Sequence, residues 1–270
     1  MTHLPSLSVS LGSRVFCVTG GASGMGAATV CLLAHHGAGA IWIADVNREA
    51  LSKIKAEVTE INPITQIYTN VVDVSDPKQV DDWIATIKVK SGALHGAANV
   101  AGVSQPAFSS THPAILEQTN EDWDRVLGVN FNGIMYCTRA QVRVMAEMPK
   151  GSHLAIVNVS SMASLIRGPS AFAYGASKVA CAHFTACVAK DVYPLGIRAN
   201  AVSPGNTFTA ITSEFFGHMS KEETEKQLGK AGINTKLLDP ADVARSIAWL
   251  LSEAALDVNG VNLPVGEGAP

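Results

Sequence analysis

The sequence predicts an α/β chain: a single domain built on one doubly wound, seven-stranded parallel sheet with helices on both faces. Three observations carry that expectation. Short β-rich apolar runs alternate with helical stretches from one end of the chain to the other. No linker, internal repeat or low-complexity tract divides the 270 residues, and single α/β domains often reach this size. A glycine-rich turn joins the first apolar run to the first helix, as in nucleotide-binding sheets.

Taken in order, strands are expected at residues 14–19, 40–45, 66–73, 94–100, 153–160, 197–203 and 260–265. Helices are expected at 24–36, 47–60, 77–90, 122–148 and 174–194. A last helix, ending near residue 252, is opened by Asp239 as N-cap and Pro240 at the first helical position, where the missing N–H costs nothing. Strands separated by helices imply a parallel sheet with right-handed crossovers. The segment 206–238 is too long for a simple connection and is a candidate substrate lid.

Composition narrows the function. The chain is 47% apolar and carries a net charge of −3, which excludes disorder and an electrostatic footprint for nucleic acid or an anionic membrane. Only 16% of residues are charged, below the usual ~25%, which suggests a surface partly covered by a second subunit. The five cysteines form no C-x-x-C pair and sit among apolar neighbours, so they read as buried thiols in a reducing compartment. No apolar run reaches the ~18 residues of a membrane span. The start of the chain lacks the pattern of a secretory signal, so a cytoplasmic protein is expected. No His/Cys/Asp cluster has metal-ligand spacing.

Two constellations carry chemistry. The first is Thr19-Gly20-Gly21-Ala22-Ser23-Gly24-Met25-Gly26, set between a strand and a helix. Its glycines permit a tight turn and close approach of a phosphate to the N–H groups of the helix start. Asp45 ends the second strand, where a carboxylate grips ribose hydroxyls. A 2′-phosphate there would be repelled by roughly 4 kcal/mol per unit charge at ~4 Å and an effective dielectric of ~20. The nearest cation, Arg48, is read as solvent-facing, so NAD(H) is favoured over NADP(H). The second constellation is Tyr174 and Lys178, spaced i, i+4 on one helix face. An ammonium beside a phenol favours phenolate and suits the tyrosine to acid–base work.

With these motifs in place, the chain resembles the short-chain dehydrogenase/reductase family along nearly its whole length. The resemblance rests on the glycine turn, Asp73-Val74, Asn99-Val100-Ala101-Gly102, Asn130, Asn158-Val159-Ser160-Ser161, Tyr174-Gly175-Ala176-Ser177-Lys178 and Ser203-Pro204-Gly205, all in the family's order. Two positions depart from its usual patterns. Val100 stands where a second Asn is frequent, and Pro264-Val265-Gly266-Glu267-Gly268 replaces a frequent Val-Asp-Gly-Gly.

The resemblance implies a role for each matching residue. Tyr174 would donate or accept the proton, Ser161 would hydrogen-bond the substrate oxygen, and Lys178 would hold the nicotinamide ribose and favour the phenolate. Asn130 would help anchor a water that relays protons through Lys178. Gly20, Ser23, Gly24, Met25 and Gly26 would bind the cofactor phosphates, Asp45 the ribose, and Asp73 and Val74 the adenine. Asn99 and Gly102 would line the cofactor, while Pro204, Gly205, Thr207 and Thr209 would seat its nicotinamide end. Pairing through the long helices near 122–148 and 174–194 into a homodimer or homotetramer is also implied.

The expected reaction interconverts a secondary alcohol and a ketone with NAD. Segments 103–108, 162–173 and 206–238 border the expected pocket and contain Phe108, Met162, Leu165, Ile166, Phe172, Phe208, Phe215, Phe216 and Met219. That bias points to a lipophilic substrate of terpenoid, steroid or polyketide kind. Arg167, His112 and His218 are candidates to meet a substrate carboxylate or carbonyl, although a surface position suits each. An NADPH-dependent ketone reductase and a non-catalytic dinucleotide sensor are the alternatives. Asp45 opposes the first, and the intact Asn/Ser/Tyr/Lys set opposes the second.

Overall fold

The computed structural model describes residues 11–106, 108, 113–166, 171–209, 212, 219–230 and 237–266. Seven strands form one sheet: β1 (Val15–Thr19), β2 (Ala40–Asp45), β3 (Gln66–Val71), β4 (Gly96–Asn99), β5 (Leu154–Val159), β6 (Ile197–Pro204) and β7 (Asn262–Val265). Their order is β3-β2-β1-β4-β5-β6-β7, and every pairing is parallel. The helices are α1 (Gly24–His35), α2 (Arg48–Ile61), α3 (Pro77–Ser91), α4 (Asn120–Leu127), α5 (Gly133–Met145), α6 (Phe172–Val192), α7 (Lys221–Lys230) and α8 (Pro240–Leu251).

The doubly wound arrangement follows from the two-residue period of the strands. Cys17, Trp42, Ala97, Ile156 and Ala199 face one layer with Trp83, Ile84, Ile87 and Met145. Their neighbours Phe16, Val18, Ile41, Ile43, Ala98 and Val157 face the other layer with Val30, Leu33, Val243 and Ile247. Every residue of β1, β4, β5 and β6 is buried, whereas the edge strands β3 and β7 are half-exposed. The Trp42 indole stacks on Tyr68 at 4.1 Å and donates to Ser91 Oγ at 2.9 Å, tying β2 to β3 and α3.

Capping residues set the helix ends. Asp239 accepts from the Ala241 amide at 3.2 Å, the Asp242 carboxylate returns to the Asp239 amide at 3.0 Å, and Pro240 occupies the first turn. Asn47, rather than Asp45, caps α2 by accepting from Ala50 at 3.0 Å. One element departs from expectation. The helix expected at 122–148 is two helices, α4 and α5, joined by a π turn over Gly128–Asn132. The turn fits what surrounds it: a Cβ on Gly133 would lie 2.8 Å from Val74, and Asn130 is bonded to a neighbouring loop.

Sheet order places β1 beside β4, and from that pair the chain winds outward in opposite directions. A crevice therefore opens beyond the carboxyl ends of β1 and β4, where open α/β sheets take their ligands. Among the described residues no helix is long and apolar enough to cross a membrane.

Candidate active site

One half of the site is the turn after β1. Gly20 has φ +63°, and a Cβ there would meet the Ala101 Cα and N at 2.8 Å. A Cβ on Gly26 would lie 2.0 Å from the Gly20 carbonyl oxygen. Only glycine closes this turn and lets α1 start against the strand. Ser23, exposed at the α1 N-cap, makes no side-chain cap, so the helix start keeps its N–H groups for a ligand. Gly24, at φ +50°, faces Thr209 across the crevice, with a built Cβ 3.2 Å from the threonine methyl. Met25 is half-buried beside it.

Asp45 reaches this turn from the end of β2. Its carboxylate accepts from the Ala22 amide at 3.1 Å and the Asn47 amide at 3.0 Å. Arg48 is exposed. Asp73 accepts from the amide and hydroxyl of Ser75, while Val74 is buried under Gly133. On the far side Pro204 closes β6, Gly205 donates to the Val265 carbonyl, and the Thr207 hydroxyl donates to the Gly205 carbonyl.

Asn99 closes β4 with its side chain turned into the protein. Its side chain is 1% exposed and is spent on a buried amide network. Asn99 donates to Asn158 at 2.8 Å and Gln141 at 3.0 Å and accepts from Gln141 at 2.8 Å; Asn158 in turn donates to Thr185. A buried amide must be satisfied, and these partners pin β4 to β5, α5 and α6. What Asn99 brings to the crevice is its backbone at the end of β4.

The other half of the site lies around the start of α6. Lys178 is 4% exposed, donates to the Val159 carbonyl at 3.0 Å, and places its ammonium 5.6 Å from the centroid of the half-buried Tyr174 ring. Asn130, fully buried in the π turn, accepts from the Val103 amide at 2.8 Å and donates to the Val103 carbonyl at 2.9 Å and Ser177 Oγ at 3.3 Å. A Cβ on Gly102 would lie 3.3 Å from Asn130 Oδ1 and 3.7 Å from Lys178 Nζ. That glycine thus keeps the space between them open. Ser161 follows β5 and accepts from the Ala163 amide at 3.1 Å, and the short turn Met162–Ser164 that it opens packs against α6.

Several further side chains hold this arrangement; Ser160, Ser177 and Ser203 lie inside the quoted motifs without an assigned role, and Gln105, Ser164 and Asn262 lie outside them. Ser160 donates to the Lys178 carbonyl at 2.8 Å, Ser177 to the Tyr174 carbonyl at 2.7 Å, and the Tyr174 amide to Gln105 at 3.0 Å. Ser164, Ser203 and Asn262 form a closed hydrogen-bonded triangle behind Ser161. Apolar side chains border the same end: the Phe108 and Phe172 rings lie 5.7 Å apart, and Leu165 and Ile166 are 38% and 50% exposed. Met162, Phe208 and Met219 are half-buried. The candidates His112, Arg167, Phe215, Phe216 and His218 lie outside the described residues.

Known proteins match this chain along nearly its whole length. Residues 20–269 match the family model described as enoyl-(acyl carrier protein) reductase. A chanoclavine-I dehydrogenase of Arthroderma otae is 47% identical over 264 residues, covering 97% of this chain and 99% of the relative. Relatives of the same name from Penicillium roqueforti and Claviceps purpurea are 44% and 45% identical, each over 97% of this chain and 99% of the relative. Among solved structures, levodione reductase superposes with a TM-score of 0.85 at 29% identity, covering 96% of this chain and 98% of that one.

Proposed function

The chain belongs to the short-chain dehydrogenase/reductase family of nicotinamide-dependent oxidoreductases, and from that premise we propose that it oxidises an alcohol on a lipophilic small molecule with NAD⁺, Tyr174 acting as the base. The relatives' name points to the substrate class: an alcohol of the chanoclavine-I kind. That reading keeps the alcohol and the lipophilic character expected from sequence. The apolar border of Phe108, Phe172, Leu165 and Ile166 supports it.

The residues present fit a nicotinamide dinucleotide. The glycine turn is a cradle that a Cβ would fill, and the Asp45 carboxylate already reaches its backbone. Gly20, Ser23, Gly24, Met25 and Gly26 would hold the phosphates, Asp45 the adenosine ribose, and Asp73 and Val74 the adenine. The backbone of Asn99 with Gly102, Pro204, Gly205, Thr207 and Thr209 would line the nicotinamide half. Asp45 and the outward position of Arg48 favour NAD over NADP. When bound, the cofactor supplies the hydride acceptor.

This chain's residues handle the proton and the oxygen. Tyr174, beside Lys178, takes the proton of the substrate hydroxyl as hydride leaves the carbinol carbon. Ser161 donates a hydrogen bond to the same oxygen and steadies its developing charge. Lys178 then passes the proton toward the turn at Asn130. The single observation that carries this reading is the joining of Tyr174, Lys178 and Asn130 into one frame at the mouth of the crevice.

The excursion 206–238 is read as a lid on one domain. Its ends are pinned together, since Leu238 donates to the Asn206 carbonyl at 2.8 Å and Phe208 to the Leu238 carbonyl at 3.0 Å. Pairing of two copies through α4–α5 and α6 is supported by the low charge content and by Val179, half exposed on α6. Five free cysteines suit a reducing, cytoplasmic setting. The test is reduced-nicotinamide formation from NAD⁺ and, separately, NADP⁺, with chanoclavine-I and a panel of lipophilic primary and secondary alcohols. NAD⁺-dependent turnover is expected; turnover with NADP⁺ alone, or none that depends on Tyr174, overturns the reading.

A further inference from the structure

We propose that Gln105 is a positioning residue for Tyr174, holding it through the first turn of α6; the inference rests on the reading of Tyr174 just given. The start of α6 lacks the usual local cap, because its N-cap residue is Ala171, which has no side-chain oxygen. The first N–H groups of a helix have no intrahelical acceptor. The Gly175 amide already reaches the Ala171 carbonyl at 2.7 Å. The amide just before it, that of Tyr174, donates to Gln105 Oε1 at 3.0 Å, across 69 positions of sequence. A distant glutamine thus does what a serine or aspartate does at an ordinary helix start.

Gln105 is itself rigidly placed. It is 6% exposed, in the loop after β4. Two residues before it, Val103 is gripped at both its amide and its carbonyl by Asn130, and Arg125 donates to the Ser104 carbonyl at 3.0 Å. Asn130 also donates to Ser177 Oγ, and that hydroxyl donates to the Tyr174 carbonyl at 2.7 Å. Both the amide and the carbonyl of Tyr174 are therefore held by side chains, and both paths lead back to Asn130. The phenol hydroxyl is the far end of a long rigid side chain, so a small rotation of the first helical turn becomes a larger displacement at the oxygen. Displacements of about 1 Å at a reacting group cost up to ~10²-fold in rate.

Two variants separate positioning from mere stability. Gln105→Met keeps the length and loses the acceptor. Gln105→Glu keeps an acceptor, and a carboxylate is favoured at a helix N-terminus. With NAD⁺ and chanoclavine-I, Gln105→Met is expected to lower kcat by about 10- to 100-fold, with the KM for NAD⁺ and the affinity for NADH unchanged. Gln105→Glu is expected to recover most of that loss. Hydrogen exchange in the peptide spanning Tyr174 is expected to quicken in Gln105→Met and not in Gln105→Glu. Wild-type kcat in Gln105→Met, equal loss in both variants, or a loss confined to KM overturns the proposal. If wild-type enzyme is inactive on chanoclavine-I while binding NADH, the substrate reading fails, and the exchange measurement still decides: unchanged exchange at Tyr174 in Gln105→Met overturns the role of Gln105.

Discussion

The Lys178 ammonium lies 5.6 Å from the centroid of the Tyr174 ring, one helical turn away, and is anchored by the Val159 carbonyl at 3.0 Å. The helix supplies the spacing and the end of β5 supplies the anchor. An ammonium 4% exposed acts on its neighbour through a medium less polarisable than water, so its field is felt more strongly than on a surface. Tyr174→Phe removes the proposed proton acceptor and leaves the packing. Turnover is expected to fall by about 10²- to 10⁴-fold, with NADH affinity retained in a fluorescence titration.

The proposed preference for NAD rests on one carboxylate, that of Asp45. Asp45→Ser removes the repulsion toward a 2′-phosphate while keeping a polar side chain near the Ala22 amide. The ratio of kcat/KM for NAD⁺ to that for NADP⁺ is expected to fall by about 10- to 1000-fold, the upper figure corresponding to roughly 4 kcal/mol. Steady-state kinetics with the two cofactors measures it directly.

The glycine turn tolerates no side chain at Gly26, where a Cβ would sit 2.0 Å from the Gly20 carbonyl oxygen. Gly26→Ala is expected to destabilise the fold by about 1–3 kcal/mol and to abolish NADH binding. Gly229 in α7 has nothing within 4 Å of a built Cβ. Gly229→Ala is expected to be neutral or stabilising by up to ~1 kcal/mol. Thermal melts and NADH titrations of the pair separate crowding from substitution as such.

The thiols divide by burial. Cys17 and Cys137 are fully buried, and desolvation pushes both upward, Cys137 to about 12. Burial and the nearby Glu57 carboxylate push the half-buried Cys31 to about 12 as well. Raised values keep these groups protonated and inert near pH 8. Of the five cysteines, Cys187, which is exposed, is expected to react first with a thiol reagent, and the others on unfolding. The unfolded chain ionises these thiols near the ordinary cysteine value of ~8.5, so above it the folded state binds more protons. Stability is therefore expected to decline as pH rises from about 9 to 12, measured by denaturant unfolding across that range.

The buried amides beneath the crevice make a separate prediction. Gln141 both accepts from and donates to Asn99. Gln141→Leu leaves Asn99 without those partners and is expected to cost about 1–3 kcal/mol of stability. NADH affinity is expected to change little, because the network's side chains are buried between the sheet and α5 and α6. Denaturant unfolding and NADH titration check the two halves.

Much of the molecule is written in short-range pattern. Strand runs near 15–19, 40–45 and 154–159 are legible because backbone pairing in a covered sheet demands apolar residues on both faces. The glycine turn is legible because positive φ and close backbone approach admit little else. Tyr174 and Lys178 are legible because four residues bring two side chains onto one helix face. These are constraints between neighbours in sequence, and the sequence by itself determined them.

Other features depend on segments far apart in the chain, and only the tertiary structure decided them. The helix around Asn130 reads as continuous, yet it contains a π turn whose asparagine is spent on Val103, twenty-seven positions earlier. Asn99 has the identity expected of a crevice residue, but Gln141 and Asn158 draw its side chain beneath the sheet. Gln105 looks like any polar loop residue until the fold brings it to the Tyr174 amide. A buried polar group takes the partner that packing places within about 3 Å. That partner is set by how layers stack on the sheet, and no local periodicity records it.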